Sequence, residues 1–324
     1  MAFQVRVGIS FVGLIAFISQ SAQAVPPFSG TIYIDRDIIT TSDPTTFQGA
    51  SYAGQGLRTM FDRRVNSWIN VNAYLFNTSF SDGLATEVQV NPEFASPAAA
   101  MAEAQKYGAV IGRLPTALRD DVQTIWIHKG TQPFGGGNHN LLIHTGQAAL
   151  YDADGILEET LVHESSHTSL DAAHASAAGW LAAQSADGEF ISTYARDNPT
   201  REDIAESFLP YLAVRYRSER ISQSLADTIL QTIPNRIDYF DAQSFDMFPV
   251  VVPIPGDFDN DGSVDGQDFL VWQRDPNIGD LTDWQANYGA GSLASSIAVS
   301  EPCSLGFCLM SLVAGFISLK IRPA

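Results

Sequence analysis

At 324 residues, with 45% hydrophobic and 10% aromatic side chains, the chain is long and apolar enough to bury one large core or two modest ones. Its 36 acidic against 18 basic residues give a net charge of −18, which excludes a phosphate-neutralising surface, so nucleic acid is not an expected partner. The only cysteines, Cys303 and Cys308, stand near the end, so the main domain must be held by its apolar core and bound ions.

In chain order, Arg6 precedes an apolar run over residues 7–18. Ser21, Ala22, Gln23 and Ala24 then supply the small residues at which a signal peptidase cuts. Residues 1–24 are therefore expected to be a signal peptide and the mature chain to be exported. Residues 25–248 are expected to form one α+β domain without internal repeats. Alternation predicts a strand over 30–39, while Met60, Val65, Trp68, Ile69 and Val71 predict mostly helix over 57–76. Alanines and Met101 at helical period predict a helix over 97–111. Strands over 122–128 and 140–149 flank a glycine loop, Phe134-Gly135-Gly136-Gly137-Asn138. No lysine follows that loop and no helix opens on it, which excludes the nucleotide fingerprints and leaves a hairpin or substrate-side lid. A strand placed just before the next helix is either the sheet edge on which an extended peptide lies or an ordinary interior strand. His128, His139 and His144 are expected to be structural.

Asp154-Gly155 marks a turn, and Ile156, Leu157, Thr160, Leu161 and Leu170 supply the apolar face of a helix that contains His163-Glu164-Ser165-Ser166-His167. Histidines four apart lie one above the other on a helical face, so both imidazoles can reach one metal with Glu164 beside them. That pattern is the metal and base of a zinc hydrolase. His174 falls on the same face, but on a continuing helix it lies roughly 10 Å beyond His167, too far for a shared zinc. Downstream, Asn198 or Thr200 caps a helix that begins near Pro199, and Glu202 and Glu206 share one of its faces by i,i+4 spacing.

HExxH followed by Tyr194 and an E-x-x-A-E run (Glu202, Ala205, Glu206) resembles the gluzincin metallopeptidases related to anthrax lethal factor and the Pro-Pro endopeptidases. The resemblance spans about residues 120–215 and implies a zincin-like catalytic domain: helices plus a mixed sheet whose edge strand precedes the HExxH helix. It implies that His163, His167 and Glu202 bind Zn2+, that Glu164 is the general base, and that Tyr194 supports the oxyanion on a peptide or protein substrate. Tyr194 stands one residue farther from Glu202 than that family's spacing. Glu206 and Asp171, the latter four residues after His167, are candidates for orienting the ligands.

Prolines punctuate a linker over 249–255. In the small module of residues 256–290, Asp257, Asp259, Asp261, Ser263, Asp265 and Asp268 occupy the ligand positions of a twelve-residue Ca2+ loop with Gly262 at its sixth position. The loop resembles a dockerin's, with Asp268 in place of the EF-hand's final Glu. A partner repeat is only partly present over 280–289, which argues against a cohesin-like partner and leaves calcium as a clamp for an EF-hand-like helical module. After a second linker over 291–302, residues 303–324 carry an apolar stretch followed by Lys320 and Arg322. With Ser300-Glu301-Pro302 before it, this tail resembles a PEP-CTERM sorting signal, which implies a sortase-like processing enzyme; a permanent C-terminal anchor is the other reading. A cell-surface binding or scaffold protein with a non-catalytic zinc site is the alternative to a peptidase.

Overall fold

The computed structural model describes residues 26–31, 36–250, 254–259 and 263–290. The signal peptide, the apolar tail and Asp261 lie outside the described residues, as does part of the strand expected over 30–39. What is described of that segment is irregular; just before it, Phe28 forms an isolated bridge with Ser192. The chain divides into two compact units at Val252 and Pro253.

The first unit is α+β. Its six-stranded mixed sheet has the order β1-β2-β3-β4-β6-β5, formed by β1 (Phe47–Asp62), β2 (Ser67–Phe80), β3 (Ala85–Val90), β4 (Thr124–His128), β5 (Gly135–Gly137) and β6 (Asn140–His144). β1, β2 and β3 form an antiparallel meander, β3, β4 and β6 run parallel, and β5 returns antiparallel to β6 at the far edge. The parallel step from β3 to β4 requires a crossover, supplied by α1 (Pro97–Ile111) and α2 (Thr116–Arg119). Ser96 caps α1 by accepting a hydrogen bond from Ala99 N, with Pro97 at the first position, so this helix matches its expected span.

The helix expected over 57–76 is instead a long hairpin. Asp62 pairs with Ser67 across a tight turn in which Asn66 takes a positive φ of 48°. β3 pairs with β2 only from Tyr74 onward, so the distal half of the hairpin has no third strand beside it. Its residues are therefore only partly buried: Met60, Ile69, Val71 and Ala73 gather on one face, while Leu57, Val65 and Trp68 stay exposed and complete the helical spacing. The second strand expected over 140–149 stops at His144, where α3 (Thr145–Ala153) begins.

Seven further helices follow: α4 (Leu157–Ser169), α5 (Asp171–His174), α6 (Ala178–Asp187), α7 (Thr193–Asp197), α8 (Asp203–Tyr216), α9 (Gln223–Thr232) and α10 (Pro234–Asp241). Ile125, Ile127, Leu141 and Ile143 from β4 and β6 pack with Tyr107 of α1, Leu161 and Val162 of α4, and Phe208 and Leu212 of α8, all essentially without solvent contact. Burial on that scale, worth roughly 1.5–3 kcal/mol per large side chain, fixes α4 and α8 side by side.

The second unit holds α11 (Gly266–Arg274) and α12 (Leu281–Asn287). Phe269 and Trp284 join them, with ring centroids 5.1 Å apart. Among the described residues, no helix is long and apolar enough to cross a membrane.

Candidate metal centre

α4 buries Leu157, Leu161 and Val162 and turns His163, Glu164 and His167 toward a cleft. The helix stops at Leu170, whose backbone leaves ideal helical geometry, and α5 starts a new turn. His174 lies on α5, where its Nδ1 meets the Tyr239 hydroxyl at 2.7 Å and its ring packs against Tyr239 and Phe245. It is excluded from the centre as expected, though by the break at Leu170 and these aromatic partners rather than by the rise of a continuous helix.

Glu202 reaches the same cleft from α8. The expected cap at Asn198 or Thr200 is replaced by the short α7 and a turn, leaving Glu202 itself as the residue that precedes α8. Nε2 of His167 lies 3.2 Å from Nε2 of His163 and 3.0 Å from Oε2 of Glu202, and the third side of the triangle is 3.5 Å. Four-coordinate zinc with bonds of about 2.05 Å places neighbouring ligand atoms about 3.3 Å apart, so the triangle fits a tetrahedral ion. Among the described residues two groups could hold a metal ion: this one, and Asp257 with Asp259 and Asp268.

The remaining atoms of the three side chains are occupied in a way that turns these ligand atoms inward. Nδ1 of His167 lies 2.8 Å from Oδ2 of Asp171, and Nδ1 of His163 lies 3.4 Å from Oε1 of Glu206. An Nδ1–H directed at a carboxylate leaves the Nε2 lone pair for a metal. Glu206 is fully buried and its other oxygen accepts the Ser192 hydroxyl, a contact the sequence reading missed because Ser192 serves equally as the cap of α7. On Glu202, Oε1 accepts Tyr194 Oη at 3.0 Å and Arg201 Nε at 2.9 Å, so Oε2 alone faces the histidines. The turn between α7 and α8 thus brings Tyr194 and Glu202 together.

The electrostatics follow from this crowding. Burial works to raise the pKa of Glu202, but hydrogen bonds from His163, His167 and Arg201 outweigh it and hold the carboxyl well below its ordinary value. Burial works to lower His167, and the Asp171 and Glu202 carboxylates outweigh it, raising the imidazole to about 10. Burial, then the Glu202 charge, raises the Tyr194 phenol, which keeps it a proton donor. Two carboxylates converging on one imidazole make a site suited to a cation.

The glycine segment is the outer arm of a hairpin with β6, one of its two expected forms, and not a lid. Gly135–Gly137 is the edge strand β5, while β6, immediately before α3, lies in the interior of the sheet. A Cβ at Gly136 would collide with the Glu164 carbonyl, so glycine is what allows α4 to lie against the strand. Thr168 ties the two together: its hydroxyl accepts from Gly137 N at 2.8 Å and lies 2.9 Å from the Asn140 carbonyl. The cleft beside this edge has a volume of about 400 Å³ and is lined by Gly136, Gly137, Glu164, Tyr194, the three candidate ligands, Asp171 and two arginines, Arg63 and Arg201. His128 and His144 are fully buried on neighbouring strands with their rings stacked, and His139 pairs with Asp121 in an exposed turn, so none enters the cleft.

In the second unit, Asp257, Asp259 and Asp268 offer carboxylate oxygens within 4.8 Å of one another. Asp268 is buried and accepts from Phe258 N, Asp259 N and Asp265 N, while Asp265 caps α11 by accepting from Gln267 N. No family model, no curated protein and no solved structure matches the chain.

Proposed function

We propose that the chain is an exported zinc metallopeptidase of gluzincin type, of the kind the lethal factor and Pro-Pro endopeptidase group represents. The observation that carries this is the inward triangle of His163, His167 and Glu202, each histidine backed by a carboxylate, beside Glu164 and an open sheet edge. A structural zinc site closes around four protein ligands; here three ligands face a cleft, which favours catalysis over a non-catalytic site.

When bound, zinc supplies Lewis acidity, polarising a carbonyl and lowering the pKa of water to about 7. The residues do the rest. An extended peptide pairs with the free edge of β5, whose glycines bring no side chains between substrate and cleft. Glu164 takes the proton of the attacking water and hands it to the leaving amine. Tyr194, still protonated near neutrality, donates to the oxyanion. Arg201 and Tyr194 together hold Oε1 of Glu202, keeping that carboxylate in one orientation. The second unit binds Ca2+ through Asp257, Asp259 and Asp268 as a clamp on its two helices, and the C-terminal stretch tethers the exported chain until a sortase-like enzyme removes it.

In the test, Glu164→Gln abolishes hydrolysis of a mixed peptide library while zinc content stays at one per chain. Glu202→Ala strips the zinc and His174→Ala retains it. Hydrolysis that survives Glu164→Gln overturns the assignment.

A further inference from the structure

A second cavity of about 260 Å³ lies across β5 from the metal centre and shares Arg63, Gly136 and Gly137 with the first. Its other walls are Phe61, Trp68, Trp126 and Leu142, with Gly135, Asn138 and Asn140. The four apolar walls come from two strand pairs, β1–β2 and β4–β6, that β3 separates in the sheet, so the distal half of the β1–β2 hairpin must arch over the sheet face that carries Trp126. The rings show it: Trp68 stands edge-on to Phe61 and to Trp126, at 5.5 Å in both cases. The arch also lowers the hairpin turn onto the edge strand, where a Cβ at Gly135 would stand 2.9 Å from the Arg63 guanidinium.

Two side chains of this arch keep a face or a charge that the fold leaves open. Trp68 is 54% exposed, although an indole this large stabilises most when buried. Arg63 makes no hydrogen bond or ion pair among the described residues, while the adjacent Arg64 is held by both Asp62 and Glu93. Arg63 is thus an exposed cation at the junction of the two cavities, open to an incoming carboxylate in a chain with twice as many acidic as basic residues.

We infer that the arched hairpin is the specificity element of the site, and that the substrate is an extended peptide with a large apolar side chain beside an acidic one. The inference rests on the peptidase reading above. Successive side chains of a strand paired with β5 point to opposite faces of the sheet. One face is the metal cleft, and the other is the cavity under the hairpin, where Phe61, Trp68 and Trp126 enclose the apolar side chain. Arg63, which lines both cavities, pairs with the carboxylate of the neighbouring substrate residue, an interaction a guanidinium makes through two parallel hydrogen bonds.

Binding and cleavage are read separately. The full-length Glu164→Gln protein, loaded with zinc, is titrated with eight-residue peptides that carry Phe, Leu, Ala, Asp, Glu, Gln or Lys in adjacent central positions. Peptides with the apolar–acidic pair are expected to bind at least tenfold more tightly than their Ala–Gln counterparts. Trp68→Ala should remove the gain from the apolar residue, and Arg63→Glu should exchange the acidic preference for a basic one. Arg63 lies in an exposed turn, so its replacement leaves the fold intact even if Trp68→Ala does not. Equal binding of all peptides, or a preference unchanged by Arg63→Glu, overturns the inference. Unselective hydrolysis by the wild type would leave the peptidase reading standing; selective binding without hydrolysis would leave the inference standing and sink that reading.

Discussion

Asp171 offers the sharpest test of how the metal centre is built. Its Oδ2 lies 2.8 Å from Nδ1 of His167, a full-strength contact to a ring whose other nitrogen faces the metal position. Losing such a partner typically weakens metal binding by about 10–100-fold, or roughly 1.4–2.7 kcal/mol. The Asp171 side chain is 25% exposed, so water replaces part of what is lost and the lower half of that range is expected for Asp171→Asn, whose amide oxygen can still accept from Nδ1. Asp171→Ala removes the acceptor as well and should approach 100-fold. Asp197, an exposed acid on α7, separates local from general charge: Asp197→Asn should bind zinc within about twofold of wild type, because its carboxylate is solvated and already paired with Arg196. Competition against a fluorescent zinc chelator measures all four proteins. An Asp171→Ala affinity within threefold of wild type would refute the idea that this carboxylate orients His167.

Gly136→Ala forces α4 off the edge strand, and overpacking of this kind costs about 1–3 kcal/mol, so melting should fall by on the order of 5 °C with reduced zinc content; an unchanged melting curve would count against the close approach. The pH dependence of the zinc-free protein carries two opposed buried groups. Burial lowers His128 to about 4, so its stabilising neutral form is complete above the unfolded value near 6.5 and is lost as pH falls. Burial raises Glu159 to about 7, so its cost grows as pH rises from the unfolded value near 4.5. Between pH 4.5 and 6.5 each contributes about 2 kcal/mol with opposite sign, and Glu159→Gln, measured by urea unfolding, should reveal the rise with pH that wild type hides; parallel pH profiles for the two proteins would refute it. In the full chain, calcium should change tryptophan fluorescence through Trp284, whose indole donates to the Asp265 carbonyl at 2.6 Å, and Asp268→Ala should abolish the change; a calcium-insensitive wild type would rule out the loop.

Much of the centre was legible because a helix fixes its neighbours by spacing alone. His163 and His167, and Glu202 with Glu206, could be placed on common faces without knowing what they packed against. What lay beyond reach depended on contacts distant in sequence. The glycine run is an edge strand because α4 lies against it, and nothing within residues 134–138 reports that approach. The hairpin reads as a helix over 57–76 because the exposed apolar residues Leu57, Val65 and Trp68 mask the alternation of Ile69, Val71, Ala73 and Leu75. Arg63 stood next to Arg64 with no sign that one is structural and the other free. Asp203, in the first turn of α8, is a buried partner of Arg236, 33 residues away, a pairing that no local spacing announces.

That last pair bears on whether the metal builds its site or finds it ready. Arg236 is fully buried, with Nε 2.9 Å from Asp203 and Nη1 3.1 Å from Asp187, and Gln184 also donates to Asp203. Breaking a buried ion pair of this kind costs about 3–5 kcal/mol, so the start of α8, and with it Glu202, is held without help from a metal. On the other side, α4 is held by Thr168 against β5 and β6, by Glu159 accepting from Ile39 N, and by Ser169 donating to the Leu118 carbonyl. Two helices anchored independently bring their ligands together before any ion arrives, unlike a small zinc module that is unfolded without metal. Removing zinc with a chelator should therefore withdraw only the linkage term, about 4 kcal/mol when free zinc stands a thousandfold above Kd, and leave far-ultraviolet circular dichroism and cooperative unfolding intact. Loss of the cooperative transition on chelation would mean that the ion, not Arg236 and Thr168, holds α4 and α8 in place.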